Sequence, residues 1–474
     1  MTAPDPVGLY HQALDEFNHG NTTHALGLLQ QVISISPNLA PCHFVLGRVH
    51  ERLNQIDQAI SAYGQALCLD PDSEEALVNY QRCIEQVPDA ADAYNHLGIS
   101  FARANRLQQA EQCFQRAIEL APGHAIAYNN RGLLFKSCAR YAEAIANYRR
   151  AIRLDPDYAN AHWNLALTLL LTGDFTEGWE EFKWRRRANL DAILPTQRRE
   201  PPTWEGTPFR HQCLLIRYEQ GLGDNIQCIR YLPLVKRLGG RVAVESQSEL
   251  LGLFKLIPEI DELVEATVDG SPRITCDLFA FAMDLPGILK TRLDTIPTNT
   301  PYLYTDIEKK ILWQQRLTDK AFNVGIVWAG SPKHTNDGQR SCSLDCFAPL
   351  ARIPKVRLFS LQKGPADEQL SRINFPIENL APKLHDFADT AALIEALDLV
   401  ISVDTACLHL AGALDQPAWG LLPSVPDWRW LTDREDSPWY RSLTLFRQPK
   451  LHDWQSVFTR IILRLNDLVQ KYHS

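Results

Sequence analysis

The sequence predicts an α plus α/β chain: an all-α helical solenoid in the first half, then a pair of doubly wound α/β domains. Three observations carry this. Prolines and small residues recur on a 34-residue beat up to residue 178. The beat stops before "REPPTWEGTPF" (199–209), which is rich in proline and turn residues. Beyond it, short β-rich runs alternate with helical patterns, the signature of parallel sheets covered on both faces.

The repeat comes first. Prolines stand at 37, 71, 88, 122 and 156, and small residues at Ala25, Ala59, Ala110, Ala144 and Gly178. Two units align directly: "AYNHLGISFARANRLQQAEQCFQRAIELAPGH" from Ala93 and "AYNNRGLLFKSCARYAEAIANYRRAIRLDPDY" from Ala127. Small residues let paired helices approach, and proline ends the second helix of each unit. A 34-residue unit of this kind resembles the tetratricopeptide repeat (TPR). The array is expected over 1–185. The step from Ala59 to Ala110 is 51 residues, so half a unit is extra. It is expected as a lone helix within 72–87. Such arrays bind extended peptides or partner helices on a concave face. The array also resembles that of protein O-GlcNAc transferases, whose asparagine ladder holds substrate backbone. The matching positions here are Asn130 and Asn164, with His96 and Val45 at two others. Plain polar solvation of a helix face is the alternative.

A linker follows over 186–207. Lys183 to Arg187, with Arg198 and Arg199, read as a charged connector. Strands are expected at 213–218, 241–245, 277–281, 324–328, 356–361, 397–402 and 418–422. Helices are expected at 224–237, 246–256 and 389–396. That is too much chain for one sheet, so two domains are expected, 208–305 and 320–450, with a last helix within 451–474.

Ligands of such sheets sit beyond the carboxyl ends of strands, and three strand-end loops there are chemically loaded. In "LLIRYEQGLGDNIQCIRYL" (214–232), glycines allow a tight turn and Asp224 opens a helix. Asp224 is either a cap, worth about 1 kcal/mol, or a proton acceptor. The loop is not a dinucleotide fingerprint, because Ile226 stands where the third glycine would. In "GIVWAGSPKHTNDGQRSCSLDCFAPL" (325–350), Ser331, Lys333, His334 and Arg340 suit phosphate oxygens, or form a solvated loop. In "LDLVISVDTACLHLAGALDQP" (397–417), a strand runs into Asp404 and Thr405, and a helix follows whose first-turn amides can receive an anion. His409 lies one turn on. Alone it reads as a core histidine; beside a strand end it reads as part of a site.

At this third loop, "SVDTACLHLAGALDQP" resembles the D-T-[GA]-x-x-H-x-A motif of glycosyltransferase family 9, the ADP-heptose heptosyltransferases. "GLGDNIQCIRYLP" resembles the N-terminal motif of that family. TPR units ahead of such a domain, with "PDWRWLTDREDSPWY" near the end, resemble a bacterial group of TPR–glycosyltransferase fusion proteins. The resemblance implies a GT-B fold of two Rossmann-like domains, an acceptor domain and then a nucleotide-sugar donor domain. It also implies metal-independent, inverting transfer. Asp224 takes the place of the general base, with Gly221, Gly223 and Asn225 on the acceptor-side loop. Donor phosphates fall to Asp404, Thr405, Ala406 and His409. Arg340 is the basic residue that assists from the middle loop, and Glu368 in "LQKGPADEQL" is placed to hold the ribose; Ser331 and Lys333 stay donor-binding candidates on the loop's own chemistry.

Composition narrows the classes. A net charge of -8 gives no reason to expect nucleic acid. No apolar run reaches the ~18 residues of a membrane helix, and the N-terminus shows no signal-peptide pattern. The eleven cysteines are scattered without metal spacing, so they are expected to be reduced thiols in a cytoplasmic protein. No metal or cofactor is expected; the nucleotide sugar is a substrate. Trp428, Trp430, Trp439 and Tyr440 either close over the ligand or anchor the last helix to the first α/β domain. The expected function is sugar transfer from a nucleotide-diphosphate donor to a hydroxyl, with the TPR array recruiting a protein partner or acceptor. A non-catalytic TPR scaffold with a vestigial nucleotide pocket and a protein O-glycosyltransferase are the alternatives.

Overall fold

A computed structural model describes residues 5–87, 89–188, 201–267, 273–317, 320–334 and 336–474. The chain divides into two compact units, Met1–Thr168 and Leu169–Ser474. The division falls earlier than residue 185, where the repeat pattern runs out. Pro88, Arg198, Arg199 and residues 189–200 of the expected linker lie outside the described residues.

The first unit is built from α1 (Pro6–Asn18), α2 (Thr22–Ile35), α3 (Ala40–Arg52), α4 (Ile56–Leu69), α5 (Glu74–Ile84), α6 (Ala91–Arg103), α7 (Leu107–Leu120), α8 (Ala125–Ser137), α9 (Tyr141–Leu154) and α10 (Ala159–Leu171), the last of which crosses into the second unit. In three of the repeats a glycine of the first helix receives an aromatic ring of the second. A Cβ on Gly47 would meet Tyr63 at 2.5 Å, one on Gly98 would meet Phe114 at 2.7 Å, and one on Gly132 would meet Tyr148 at 2.5 Å. The small residues that mark the beat, Ala25, Ala59, Ala110 and Ala144, are fully buried in the second helix of their units.

The extra half-unit is α5. It stands alone between two pairs, as expected, and repeats the same contact: Tyr80 packs on Gly64 as Tyr63 packs on Gly47. Tyr80 also donates a hydrogen bond to the Ala93 carbonyl at 3.1 Å, so α5 passes the stack on to α6. The turn inside each unit needs one left-handed residue. Gly20, Asn54, Asn105, Ala139 and Gly173 fill that place, with φ between 54° and 90°.

The second unit opens with α11 (Phe175–Phe182) and α12 (Arg185–Ala188) and holds two lobes. The first lobe is a parallel sheet of β1 (Cys213–Arg217), β2 (Arg241–Ser246), β3 (Glu262–Glu265) and β4 (Leu278–Phe281), in the order β3-β2-β1-β4. The second is a parallel sheet of β5 (Phe322–Val327), β6 (Val356–Ser360), β7 (Glu378–Asn379), β8 (Leu399–Val403), β9 (Ala418–Leu422) and β10 (Leu443–Arg447), in the order β10-β9-β8-β5-β6-β7. The seven expected strands are all present. The three that were not expected, β3, β7 and β10, are short or lie at sheet edges, where little apolar periodicity is required.

The helix expected over 224–237 is broken into α13 (Leu222–Cys228), a 3-10 turn and α14 (Leu232–Lys236). Pro233 sits in the first turn of α14, where its missing N–H does no harm but ends the helix before it. The remaining helices are α15 (Ser248–Phe254), α16 (Leu285–Ile288), α17 (Ile307–Arg316), α18 (Asp337–Arg340), α19 (Phe387–Ile394), α20 (Ala406–Ala413) and α21 (Trp454–His473).

Three expectations are corrected. First, α21 does not return to the first lobe: Trp454, Val457, Phe458, Ile461, Leu465 and Val469 join the core of the second sheet with Val324, Ile326 and Phe347. Each such side chain is worth about 1.5–3 kcal/mol on burial, so the second lobe supplies the helix's anchor. Second, Cys213 and Cys276 are joined as a disulfide, their Cα atoms 4.8 Å apart, rather than reduced. The β1–β4 pairing brings the starts of the two strands together. The other described cysteines are free. Third, Arg185 is not a solvated connector. It is 1% exposed and donates to both Glu219 oxygens, at 2.9 and 2.6 Å, and pairs with Asp284 at 2.8 Å. Two carboxylates in the first lobe make a buried arginine tolerable there. No described helix is long and apolar enough to cross a membrane.

Candidate functional site

The site forms where strand-end loops of the two lobes meet. From the end of β1 the chain passes Gln220, held left-handed at φ 60°, and enters α13. Asn225 ties this loop together. Its amide donates to the Gly221 carbonyl at 3.0 Å and to Gln247 Oε1 at 3.2 Å. Asp224, at the third position of α13, reaches back and accepts the Gly221 N–H at 2.8 Å on Oδ2. That is one half of a capping box. Its other oxygen accepts from Arg429, so Asp224 is a cap and also half of an ion pair reaching the second lobe.

Gly223 shows how close the lobes come. A Cβ there would lie 2.8 Å from His409 Cδ2 and 3.4 Å from Ala406 Cα. Glycine is required by proximity, and α13 packs directly on α20. The first and third loops therefore share one seam.

On the other side of that seam, β8 delivers Asp404 and Thr405 to the start of α20. Thr405 caps α20 by backbone geometry alone, without a side-chain hydrogen bond to the first turn. Its hydroxyl shares a 2.9 Å hydrogen bond with Ser402 Oγ. His409 is 5% exposed; its Nδ1 meets Tyr440 Oη at 2.8 Å, and its ring stacks on Trp430 with centroids 5.2 Å apart. Burial, then the Arg429 charge, push the imidazole down to about 3, so it is neutral at physiological pH. Its Nε2 lies 3.7 Å from Asp404 Oδ1.

Burial and the nearby Asp427 charge push Asp404 up to about 6. Burial works upward on Asp427 too, but the Arg429 charge and hydrogen bonds outweigh it and hold Asp427 below the usual carboxylate range. The buried Arg429 donates to Asp427 at 2.8 Å, to Asp224 and to Gln227. Burial disfavours its charge, and Asp427 and Asp224 more than restore it.

The middle loop contributes unevenly. Arg340 folds over Gly330 and donates to Asp337 at 3.2 Å, and its charge is felt at both Asp404 and His409. Burial, then Arg340, push His334 below its ordinary value, while Asp427 and Asp224 oppose that. Ser331 and Lys333 are exposed, and the Ser331 hydroxyl accepts the Lys333 N–H at 3.4 Å. Glu368 is exposed on the 3-10 stretch Pro365–Ser371 after β6.

Sequence reasoning missed Asp427, Arg429, Gln227 and Gln362. Gln362 braces the end of β5, accepting from the Trp328 and Ala329 amides at 3.1 and 2.9 Å. The signal for two of them was present: "PDWRW" puts a carboxylate and an arginine on a strand-end turn after β9. The aromatic residues around them do not anchor α21. Trp428 packs edge-on against Trp179 of α11 with centroids 5.3 Å apart, and Phe175 stacks on Trp439 at 6.1 Å.

In the first unit, Asn130 donates to Asn95 Oδ1 at 3.0 Å and Asn164 donates to Asn129 Oδ1 at 2.9 Å. Asn95 and Asn129 are almost fully buried. The two expected ladder residues thus link successive repeats.

Comparison with known proteins matches this division. Residues 40–73, 91–124, 113–146 and 132–173 match tetratricopeptide repeats. Residues 354–451, which hold Asp404, Thr405, His409, Asp427 and Arg429, match glycosyltransferase family 9 (heptosyltransferase). The chain is a fusion of TPR repeats with a glycosyltransferase family 9 domain.

Asp224 and Arg340 lie outside the matched segment of that glycosyltransferase domain. Protein FlbA of Caulobacter vibrioides is 26% identical over 328 residues, which cover 64% of this chain and 54% of FlbA. The chain thus spans about half the length of that relative. The glycosyl transferase family 9 structure from Veillonella parvula is 12% identical, with a TM-score of 0.42, and covers 56% of this chain and 100% of its own. Heptosyltransferase II of E. coli, an ADP-heptose lipopolysaccharide enzyme, is 14% identical, with a TM-score of 0.41, and covers 55% and 99%.

Proposed function

We propose that the protein transfers a sugar from a nucleoside-diphosphate donor to a hydroxyl acceptor, by a metal-independent, inverting mechanism, with the TPR array recruiting a protein partner or acceptor. The observation that carries this reading is the contact of Gly223 with Ala406 and His409. It sets a carboxylate from one lobe against a helix N-terminus from the other.

The donor diphosphate lies at the first turn of α20, whose amides and the Thr405 hydroxyl meet its oxygens. Arg340 adds positive charge from the middle loop. As the bond from the sugar to the diphosphate breaks, charge grows on the leaving oxygen, and fixed amides and a cation stabilise it without reorganising. The acceptor hydroxyl attacks from the opposite face, and Asp224 takes its proton. A carboxylate has about four lone-pair sites; Gly221 and Arg429 occupy two. His409, neutral and wedged between Trp430 and Tyr440, shapes the floor rather than transferring protons.

Calorimetry with UDP, ADP and GDP, followed by donor-hydrolysis and transfer assays, tests the reading. Binding of one diphosphate, turnover of its sugar conjugate and loss of at least about a hundredfold in kcat in Asp224→Asn are expected. A folded Asp224→Asn variant that transfers at the parent rate removes Asp224 from the mechanism. Binding without turnover by the parent chain turns the reading to a TPR scaffold.

A further inference from the structure

Arg429 is the side chain that ties the two halves of the site. It stands on the turn after β9, 6% exposed, and its guanidinium serves both lobes. Nη1 donates to Asp427 Oδ1 at 2.8 Å in its own lobe; Nη2 and Nε donate across the seam to Asp224 and Gln227. Asp224 and Gln227 lie three residues apart on α13 and so share one helix face. Asp427 is set for its part, because the same Oδ1 also accepts the Arg429 N–H at 3.1 Å.

Asp224 is consequently held at both ends: Gly221 N–H on Oδ2, Arg429 on Oδ1. A carboxylate anchored through both oxygens cannot rotate about its last bond, and its remaining lone pairs keep fixed directions. Charge matters as well. Without the guanidinium, Asp224 and Asp427 both lose the cation that they share.

Resting on the reading of Asp224 as the base, we propose that Arg429 is a positioning residue for sugar transfer, fixing Asp224 from the opposite lobe, and that Asp427 holds Arg429 for this task. The seam does not depend on Arg429 alone. Arg230 crosses in the other direction, donating to the Trp439 carbonyl at 2.7 Å and to Tyr302 Oη at 3.0 Å. A variant at 429 therefore keeps a second tie between the lobes.

The test uses the full-length chain. kcat, donor KM, diphosphate affinity and thermal midpoint are measured for Arg429→Ala, Arg429→Lys, Asp427→Asn and Asp224→Asn. Arg429→Ala is expected to lose about a hundredfold in kcat, as misplacement of a reacting group does, with donor KM within about threefold of the parent. Added guanidinium ion restores part of the kcat of Arg429→Ala and none of that of Asp224→Asn. Arg429→Lys and Asp427→Asn fall between the parent and Arg429→Ala. If Arg429→Ala does not fold, those two carry the same comparison of kcat with KM. Parent-level kcat in the folded 429 variants overturns the proposal. So does a raised donor KM with kcat kept, which makes Arg429 a donor-binding group, or a loss that guanidinium leaves untouched. Parent-level transfer by Asp224→Asn fails the reading of the base itself; an inactive Asp224→Asn beside an active Arg429→Ala fails only this inference.

Discussion

The two units use close glycines in opposite ways. In the solenoid, Gly47, Gly98 and Gly132 each make room for a ring of the partner helix in the same repeat. The contact recurs along the chain, and its loss disturbs one repeat and its neighbours. In the second unit, Gly223 makes room for His409, 186 residues away in sequence and on another lobe. That contact occurs once and brings the loop of Asp224 to the helix of Thr405. Periodic contacts build a surface, whereas a single long-range contact builds a site.

The same substitution at the two kinds of glycine separates them. Gly223→Ala puts a methyl 2.8 Å from a buried imidazole. It should cost about 1–3 kcal/mol by overpacking and reduce transfer by an order of magnitude or more, because the seam must open. Gly132→Ala puts a methyl 2.5 Å from Tyr148. It should cost a similar about 1–3 kcal/mol in the solenoid and leave donor hydrolysis unchanged. Circular-dichroism melts and hydrolysis rates on both variants decide this. Equal loss of hydrolysis in the two would erase the distinction.

A smaller effect lies in the pH dependence of binding. Burial and Asp427 push Asp404 up to about 6. As pH rises through that value the side chain becomes an anion beside the proposed diphosphate site, so affinity should weaken. Between pH 5 and pH 7.5 the parent should lose about tenfold more diphosphate affinity than Asp404→Asn, which carries no titrating group there; one pKa unit of differential interaction corresponds to tenfold. Parallel pH profiles for the two proteins would exclude Asp404 from the site.

The smallest change is expected where the solenoid departs from its own rule. Ala139 takes the left-handed turn place, φ 57°, that glycine takes at 20 and 173. Ala139→Gly should relieve that strain, offset in part by greater freedom of the unfolded chain, for a net gain of about 0.5–1 kcal/mol. A lowered melting temperature would show that the turn is unstrained.

What could be read from the sequence follows the same division. The repeat was legible down to its odd half-unit, because its spacing recurs along the chain; three units share the glycine–ring contact, and α5 restates it with Tyr80 on Gly64. The strands with continuous apolar runs were legible, and so were the strand-to-helix turns that carry Asp224, Asp404, Thr405 and His409, because each is a local motif. Arg429 was not, since its partner Asp224 is 205 residues away and its aromatic neighbours invited a packing role. Arg185 was hidden in a basic run whose other members are mostly exposed; only the fold brings Glu219 and Asp284 to it. Glu368 was placed by likeness of position and stands in solvent.

In the proposed site, loops from two different sheets close on one diphosphate. Titration of the parent chain and Gly223→Ala with UDP, ADP and GDP addresses it most directly. The parent is expected to bind at least one diphosphate, and Gly223→Ala to bind it at least about tenfold more weakly, or 1.4 kcal/mol, although residue 223 belongs to the other lobe. Undiminished affinity in a folded Gly223→Ala, or no binding of any of the three by the parent, would contradict it.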